Sequence, residues 1–246
     1  MVIQSLKVFQ GKALKYLFLY QVIDLKEPMK KKKSEADVKR ELYFDPGRML
    51  QDWYMNGVLT GERMIYLESD AESTEIEEVS SSMLSRFIKS IVLLEIMDDK
   101  APIIVVINTP GGCLYNGFGI YDRIRESPCP VIGMGYGAIM SAGALIMQGC
   151  DLRQVSPNST IMVHDGTTTV VDSAPKSLMA WAESDKAMCK NMHKIFFDRM
   201  VKKNVHLTLG EVEELFSHDR VLIADEAVKL GIIDSVIAKP VRVYEK

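Results

Sequence analysis

One serine lies where a glycine-rich segment meets an apolar run, a position that suits a nucleophile. Ser141 is in the middle of residues 137–144, and a strand-like run at 131–134 precedes them. We predict that the strand ends in a tight turn and continues as a helix. The hydroxyl would then stand clear of the backbone, and nearby N–H groups would face a developing negative charge. Because a serine hydroxyl is a weak nucleophile, the chemistry also needs a base and an oxyanion hole.

Candidates for both groups are present. The turn Pro110-Gly111-Gly112 follows a continuous apolar run at 103–107, and its glycines let the backbone approach a ligand closely. A free N–H in this turn, with the N–H after Ser141, would form a two-donor oxyanion hole, and each donor would stabilise a tetrahedral intermediate by about 3 kcal/mol. His164 ends the strand-like run at 160–163. That places it on the rim of a sheet, where active sites of α/β folds gather.

The acid that would orient this histidine is less well defined. Asp219 follows a polar segment and could hold the imidazole and stabilise its charged form. Asp165, Asp172 and Asp225 are rivals that spacing alone does not exclude. The remaining histidines are less well placed for a base. His193 lies within a long predicted helix, His206 in a polar loop, and His218 beside an acid.

Composition narrows the class of protein. The chain has 246 residues, 47% of them hydrophobic and 26% charged, and a net charge of −3, which is ordinary for a globular protein and argues against a nucleic-acid or membrane-surface partner. The four cysteines have no C-x-x-C spacing, so we expect reduced thiols, no metal site and no cofactor. The uncharged run at 131–147 contains four glycines and is shorter than the roughly 20 apolar residues of a membrane span. No cleavage site follows the apolar segment at 14–20, so we expect a cytoplasmic protein.

Two parts of the chain differ in character. Residues 1–55 contain the lysine run 30–33 and are predicted to be an N-terminal extension that is flexible or removed by processing. Residues 56–246 are predicted to be the catalytic domain. Within it, strands alternate with helices, which favours an α/β architecture with a mostly parallel sheet. The predicted strands are 63–67, 103–107, 131–134, 159–163 and 234–237, and the predicted helices are 80–97, one through 120–124, 140–147, 177–202, 211–216 and 225–230.

Four segments, in order, resemble the Clp protease proteolytic subunit, and together they cover roughly residues 61–238. They are Ile107-Asn108-Thr109-Pro110-Gly111-Gly112 with Gly119-Ile120-Tyr121-Asp122; Gly137-Ala138-Ile139-Met140-Ser141-Ala142-Gly143-Ala144; Pro157-Asn158-Ser159-Thr160-Ile161-Met162-Val163-His164; and Asp219-Arg220-Val221-Leu222 with Glu226-Ala227-Val228, Gly231-Ile232-Ile233-Asp234 and Ser235.

This resemblance implies a role for each site residue. Ser141 would be the nucleophile of a serine endopeptidase, His164 the general base and Asp219 the orienting acid. The N–H groups of Gly112 and Ala142 would form the oxyanion hole. The acyl-enzyme formed on the serine would then be hydrolysed by water.

The resemblance also implies a fold and an assembly. The fold would be a crotonase-like ββα spiral with a protruding handle helix, here 177–202. The subunits would form a homo-oligomer of stacked heptameric rings that encloses polypeptide substrates, and an AAA+ unfoldase would control access. The chain has no G-x-x-x-x-G-K-[ST] phosphate loop, so any ATP dependence must come from such a partner.

Some features of the sequence differ from the family pattern, and other functions remain open. Residues 166–171 replace the glycine-rich loop that follows the histidine in the family, which affects the expected specificity of the cleft. A signal-peptide-peptidase-like enzyme would use a lysine base, for which Lys190 or Lys194 could serve. An acyl-CoA enzyme of the crotonase type would need no serine nucleophile, and a Clp-like subunit could also be a non-catalytic ring member.

Overall fold

Strands and helices alternate along the part of the chain that the computed structural model describes, namely residues 51, 53, 56–68, 79–166, 174–203 and 205–238. The predicted extension at 1–55 therefore lies outside the described residues except for 51 and 53, as do the loop at 167–171 and Asp172. The strands are β1 Val58–Leu59, β2 Met64–Glu68, β3 Ile103–Thr109, β4 Val131–Met140, β5 Leu152–Val155, β6 Thr160–Val163, β7 Arg220–Ile223 and β8 Ser235–Val236. The α-helices are α1 Ser81–Met97, α2 Leu114–Glu126, α3 Ala142–Gly149, α4 Pro175–Lys202, α5 Leu209–Phe216 and α6 Ala224–Lys229.

The described strands form one mostly parallel sheet, which confirms the predicted α/β architecture. Its main order is β1-β2-β3-β4-β5-β8, with only β1 antiparallel to its neighbour on this path. The sheet branches at β4, whose first half pairs with β5 and whose last residues pair with β6. Strand β7 then adds to β6 in antiparallel orientation. Strand β4 therefore has β5 beside its first half and β6 beside its carboxyl end, on the path that leads to β7.

The core surrounds one short helix. All eight residues of α3 are buried, and the apolar strand β3 lies buried beside it along five of its seven residues. Gly143 permits this packing, because a Cβ there would lie 2.5 Å from the Cγ2 atom of Thr109 at the end of β3. Helix α1 adds an apolar stripe at helical spacing, at Met83, Phe87, Ile91 and Leu94. A helix enclosed in this way holds the residue at its N-terminus firmly in place.

The segment before Ser141 differs from its prediction. The strand does not end at residue 134 but runs to Met140, and the helix begins at Ala142 instead of residue 140. The predicted glycine turn is thus part of β4. Gly137 has φ of 66°, and the side-chain oxygen of Asn108 accepts a hydrogen bond from the N–H of Ala138 at 3.1 Å, so the strand bends there and then resumes pairing with β6.

Strands β5 and β7 were not predicted. Strand β5 includes the polar Arg153 and Gln154, and β7 has a single buried residue, Leu222. The polar pair interrupts β5, and the apolar run of β7, at 221–223, has only three residues, fewer than the four to eight that mark a buried strand. No helix in the described part of the chain combines the length and the apolar character needed to cross a bilayer.

Candidate active site

Ser141 occupies a strained backbone position between β4 and α3. Its φ is 51° and its ψ is −120°, a conformation that costs a non-glycine residue about 1–3 kcal/mol. The surrounding structure supports it: its N–H donates to the carbonyl oxygen of Met162 at 2.7 Å, and its carbonyl accepts from Ala144 and Leu145. The residue therefore joins a strand to the start of a buried helix in a sharp turn, as a nucleophile elbow requires.

Strand pairing brings His164 and Asp219 to this serine. In the β4–β6 pair Met140 lies opposite Met162. Ser141, which follows β4, therefore lies beside Val163 at the end of β6, and His164 comes next. In the antiparallel β6–β7 pair Val163 lies opposite Arg220. His164 and Asp219 are the next residues beyond that pair, one on each strand. The register of two strand pairs therefore decides which side chains meet.

The three side chains form a continuous hydrogen-bonded chain. The Nε2 atom of His164 lies 2.9 Å from the Oγ atom of Ser141, and its Nδ1 atom lies 2.8 Å from the Oδ1 atom of Asp219. Since an ionised carboxylate only accepts hydrogen bonds, Nδ1 carries the proton and Nε2 is free to accept the serine proton. The imidazole is 26% exposed and the carboxylate 69% exposed, so solvent and substrate can reach the site.

The two backbone turns that carry the expected oxyanion donors lie beside the serine. A Cβ at Gly111 would lie 2.6 Å from the Cβ atom and 3.2 Å from the Oγ atom of Ser141, which shows how closely the Pro110-Gly111-Gly112 turn approaches the serine. This turn forms a bridge to Val79 through the carbonyl of Gly111 and the N–H of the residue after Gly112. Gly111 and Gly112 have φ of 111° and 137°, a backbone conformation that favours glycine.

The second donor belongs to a helix N-terminus. Ala142 is the first residue of α3 and Ser141 is its N-cap, so the N–H of Ala142 has no acceptor within the helix. The turn at Gly111 and the first turn of α3 thus border the same hydroxyl. The arrangement can bind an oxyanion formed on a carbonyl carbon that the serine attacks.

The rival acids and bases lie elsewhere. The carboxylate of Asp165 faces His193 on α4, and Asp225 is exposed in the first turn of α6. Asp172 lies outside the described residues. Lys194 forms an ion pair with Asp198, one turn further along α4. The geometry therefore favours a histidine over a lysine as the base beside Ser141.

Sequence reasoning missed a set of buried charges that hold the far end of α3. The guanidinium of Arg199 donates to the carbonyl oxygen of Gln148 and, at 3.0 Å, to that of Cys150. Arg153 contacts both the Gln148 side chain at 2.6 Å and the carboxylate of Asp234 at 2.8 Å. Because β5 was not predicted, nothing in the sequence indicated that Arg153 is buried or which residue is the partner of this arginine.

This ion pair sets the pKa of Asp234. Burial raises the pKa of the carboxyl, but the hydrogen bonds and charge of Arg153, with Lys203 close by, outweigh that effect and hold the pKa below its ordinary value. The carboxylate is thus charged at neutral pH and neutralises a guanidinium that is only 3% exposed. The pair anchors β5 to the segment before β8.

The four cysteines carry free thiols. Burial raises the pKa of Cys150 to about 12, so this thiol stays protonated. Within 56–68, 79–166, 174–203 and 205–238, no three His, Cys, Asp or Glu side chains are grouped as metal ligands would be.

The fold and this site define a class: an α/β protein with a serine, a histidine and an aspartate in one hydrogen-bonded chain beside two backbone turns. The sequence profile described as Clp protease matches residues 53–240, and the chain therefore belongs to the Clp protease family, as its motifs indicated.

Individual relatives are distant. An ATP-dependent Clp protease proteolytic subunit 6, chloroplastic, from Arabidopsis thaliana is 27% identical over 74% of this chain and 63% of its own length. A proteolytic subunit 2 from Corynebacterium efficiens is 28% identical over 73% of this chain and 84% of its own. A proteolytic subunit from Deinococcus radiodurans is 29% identical over 65% of this chain and 76% of its own. The chain thus spans less than two thirds of the Arabidopsis protein and more of the bacterial ones.

Proposed function

We propose that the protein is a serine endopeptidase whose catalytic residues are Ser141, His164 and Asp219. The observation that carries the proposal is the pair of contacts at His164, at 2.9 Å to the hydroxyl and 2.8 Å to the carboxylate. Family membership supports the same chemistry. A structural histidine would need neither a serine on a strained elbow nor a neighbouring helix N-terminus.

Each residue then has a distinct step in acyl transfer. The Oγ atom of Ser141 attacks the scissile carbonyl carbon while its proton moves to Nε2 of His164. Asp219 holds the ring through the Nδ1 proton and stabilises the imidazolium. The N–H groups of Gly112 and Ala142 bind the oxyanion of the tetrahedral intermediate. His164 passes its proton to the leaving amine, and a water deprotonated by the same nitrogen hydrolyses the ester.

The assembly is part of the proposal. Helix α4 spans 28 residues, and its first turns expose Leu178, Met179 and Trp181. A long helix with exposed apolar residues suits a handle that contacts another ring. We propose that the domain at 56–246 has the crotonase-like spiral of the family, forms stacked rings and degrades unfolded polypeptides.

Energy input would come from elsewhere. The relatives carry the description ATP-dependent, yet this chain has no phosphate-binding loop, so an AAA+ unfoldase would supply ATP hydrolysis. We propose a cytoplasmic location and treat residues 1–55 as an extension preceding the domain. The chloroplast relative shows that members of this family occupy more than one compartment.

The test compares the wild-type protein with Ser141→Ala. We expect the wild type to cleave a short fluorogenic peptide and to react with a fluorophosphonate probe, and we expect the variant to do neither. Size-exclusion chromatography on both proteins checks that the assembly is retained. His206→Ala, a change at an exposed histidine outside the site, is the matched control and should behave as wild type.

Three results would reject parts of the proposal. Labelling of Ser141→Ala at full stoichiometry would show that another residue is the nucleophile. An assembled wild-type protein that neither cleaves peptide nor reacts with the probe would favour a non-catalytic ring subunit. Full activity in a monomer would contradict the requirement for a ring.

A further inference from the structure

One buried histidine has no role in the mechanism above. His193 lies on α4 with its side chain 5% exposed, and no hydrogen-bond partner for either ring nitrogen is found among the described residues. Buried polar atoms nearly always have partners, so an exception needs a structural or functional reason. The carboxylate of Asp165, the residue directly after His164, lies beside it.

The contact between these two side chains is close but not aligned. The Nε2 atom of His193 lies 2.6 Å from the Oδ1 atom of Asp165, although the direction of approach is not that of a hydrogen bond, and within the described part of the chain Oδ1 has no hydrogen-bond partner. At this distance the two side chains are in direct contact, as close as the partners of a hydrogen bond. His193 is thus the group that faces the Asp165 carboxylate.

The backbone of Asp165 connects the two strand ends of the site. Its N–H donates to the carbonyl oxygen of Phe216 at 3.0 Å, three residues before Asp219. Its own carbonyl accepts from the thiol of Cys189 on α4 at 3.5 Å. Burial and then the nearby Asp165 and Asp185 carboxylates raise the pKa of Cys189, so the sulfur keeps the proton that it donates.

The side chain of Phe216 also packs against α4. Its ring is fully buried, lies 6.3 Å from the ring of His193 and packs edge-on against Phe196 at 5.3 Å. The segment before Asp219 is therefore fixed against the same turn of α4 that faces Asp165. By contrast, the Asp219 side chain is 69% exposed and gains little restraint from its own packing.

We propose that His193 is a positioning residue of the hydrolytic site: through Asp165 it holds His164 and Asp219 at bonding distance. This inference rests on the proposed function above. It assigns α4 a second role besides any contact between rings, because a displacement of this helix would be passed to the carboxylate next to the base. A misplacement of about 1 Å in such a site costs about 100-fold in rate.

The experiment uses the full-length assembled protein in five forms: His193→Ala, His193→Gln, Asp165→Asn, the double variant His193→Ala with Asp165→Asn, and the control His206→Ala. The rate kcat and the constant KM are measured on a fluorogenic peptide. Amide hydrogen exchange is measured at 160–166 and 215–219, with 131–149 as the internal reference. Glutamine at 193 keeps an N–H that can reach the carboxylate, and Asp165→Asn alters a side chain that is 38% exposed, so these two variants carry the test should His193→Ala not fold.

We expect kcat to fall about 10- to 100-fold in His193→Ala and in Asp165→Asn, with KM changed less than about twofold. The double variant should be no slower than the slower single variant, because both changes break one linkage. His193→Gln should recover part of kcat. Exchange should become faster at 160–166 and 215–219 and stay unchanged at 131–149.

Multiplying effects in the double variant would overturn the proposal, as would a change confined to KM. Unchanged exchange at 160–166 and 215–219 would overturn it even in a protein without peptidase activity. An inactive wild type would instead reject the proposed function, and the exchange data would still decide whether His193 holds these segments.

Discussion

Gly111 is the residue at which a single methyl group should do most damage to the proposed site. Its φ is 111°, a conformation that costs other residues about 1–3 kcal/mol. In Gly111→Ala the new Cβ would lie 2.6 Å from the Cβ atom of Ser141 and 3.0 Å from the carbonyl oxygen of Met140. Ordinary carbon contacts are about 3.5–4.0 Å, so the serine or the turn must move by about 1 Å.

This displacement sets the size of the effect. A shift of about 1 Å costs about 100-fold in rate, so we expect kcat and the rate of fluorophosphonate labelling to fall at least that far. The backbone strain should lower Tm by about 2–12 °C, taking 2–4 °C for each kcal/mol in a chain of this size. Peptidase kinetics, a labelling time course and a thermal melt measure the three quantities.

A matched glycine provides the control. A Cβ at Gly210 on α5 would meet nothing within 4 Å, so Gly210→Ala should keep wild-type kinetics and gain at most about 1 kcal/mol of stability. Wild-type labelling and Tm in Gly111→Ala would refute the inferred contact between the turn and the serine. A loss of activity in both variants would point to a general sensitivity of the assembly.

Two other substitutions separate catalysis from stability. Asp219→Asn should lower kcat by about 10³- to 10⁴-fold, because an amide cannot hold the ring in the required tautomer. The Asp219 side chain is largely exposed, so Tm should stay nearly unchanged. Asp225→Asn, a change at an exposed aspartate, is the control, and comparable kinetics for the two variants would reject the assignment. Asp234→Asn should cost about 3–5 kcal/mol at pH 7 by leaving the buried charge of Arg153 unpaired. Because the folded pKa of Asp234 is lowered, its stabilisation is complete above the unfolded value of about 3.9 and is lost as the pH falls through the folded value. Denaturant melts should therefore show a constant gap between wild type and variant above about pH 5 that narrows below about pH 4, and a gap that widens there would contradict the pairing.

Local sequence was sufficient for several features. An apolar run ending at His164 and a Pro-Gly-Gly turn after a buried strand are short-range patterns, and each predicted its own local structure. The glycines before Ser141 predicted a turn where β4 instead continues to Met140. The alternation of strands and helices likewise predicted the α/β architecture that the described residues form. The order of the motifs was enough to indicate the family, which the sequence profile then matched.

Tertiary structure decided which distant groups meet. The sequence left Asp165, Asp172, Asp219 and Asp225 open as partners of His164, and only the β6–β7 register, across 55 residues, brings Asp219 to it. The apolar run of β7 is only three residues long and its side chains are mostly exposed, so its position in the sheet is set by pairing with β6. The contact between His193 and Asp165 could not be predicted from the sequence either, because the two residues belong to different elements. Contacts between elements far apart in sequence depend on packing and register, which local residue patterns do not encode.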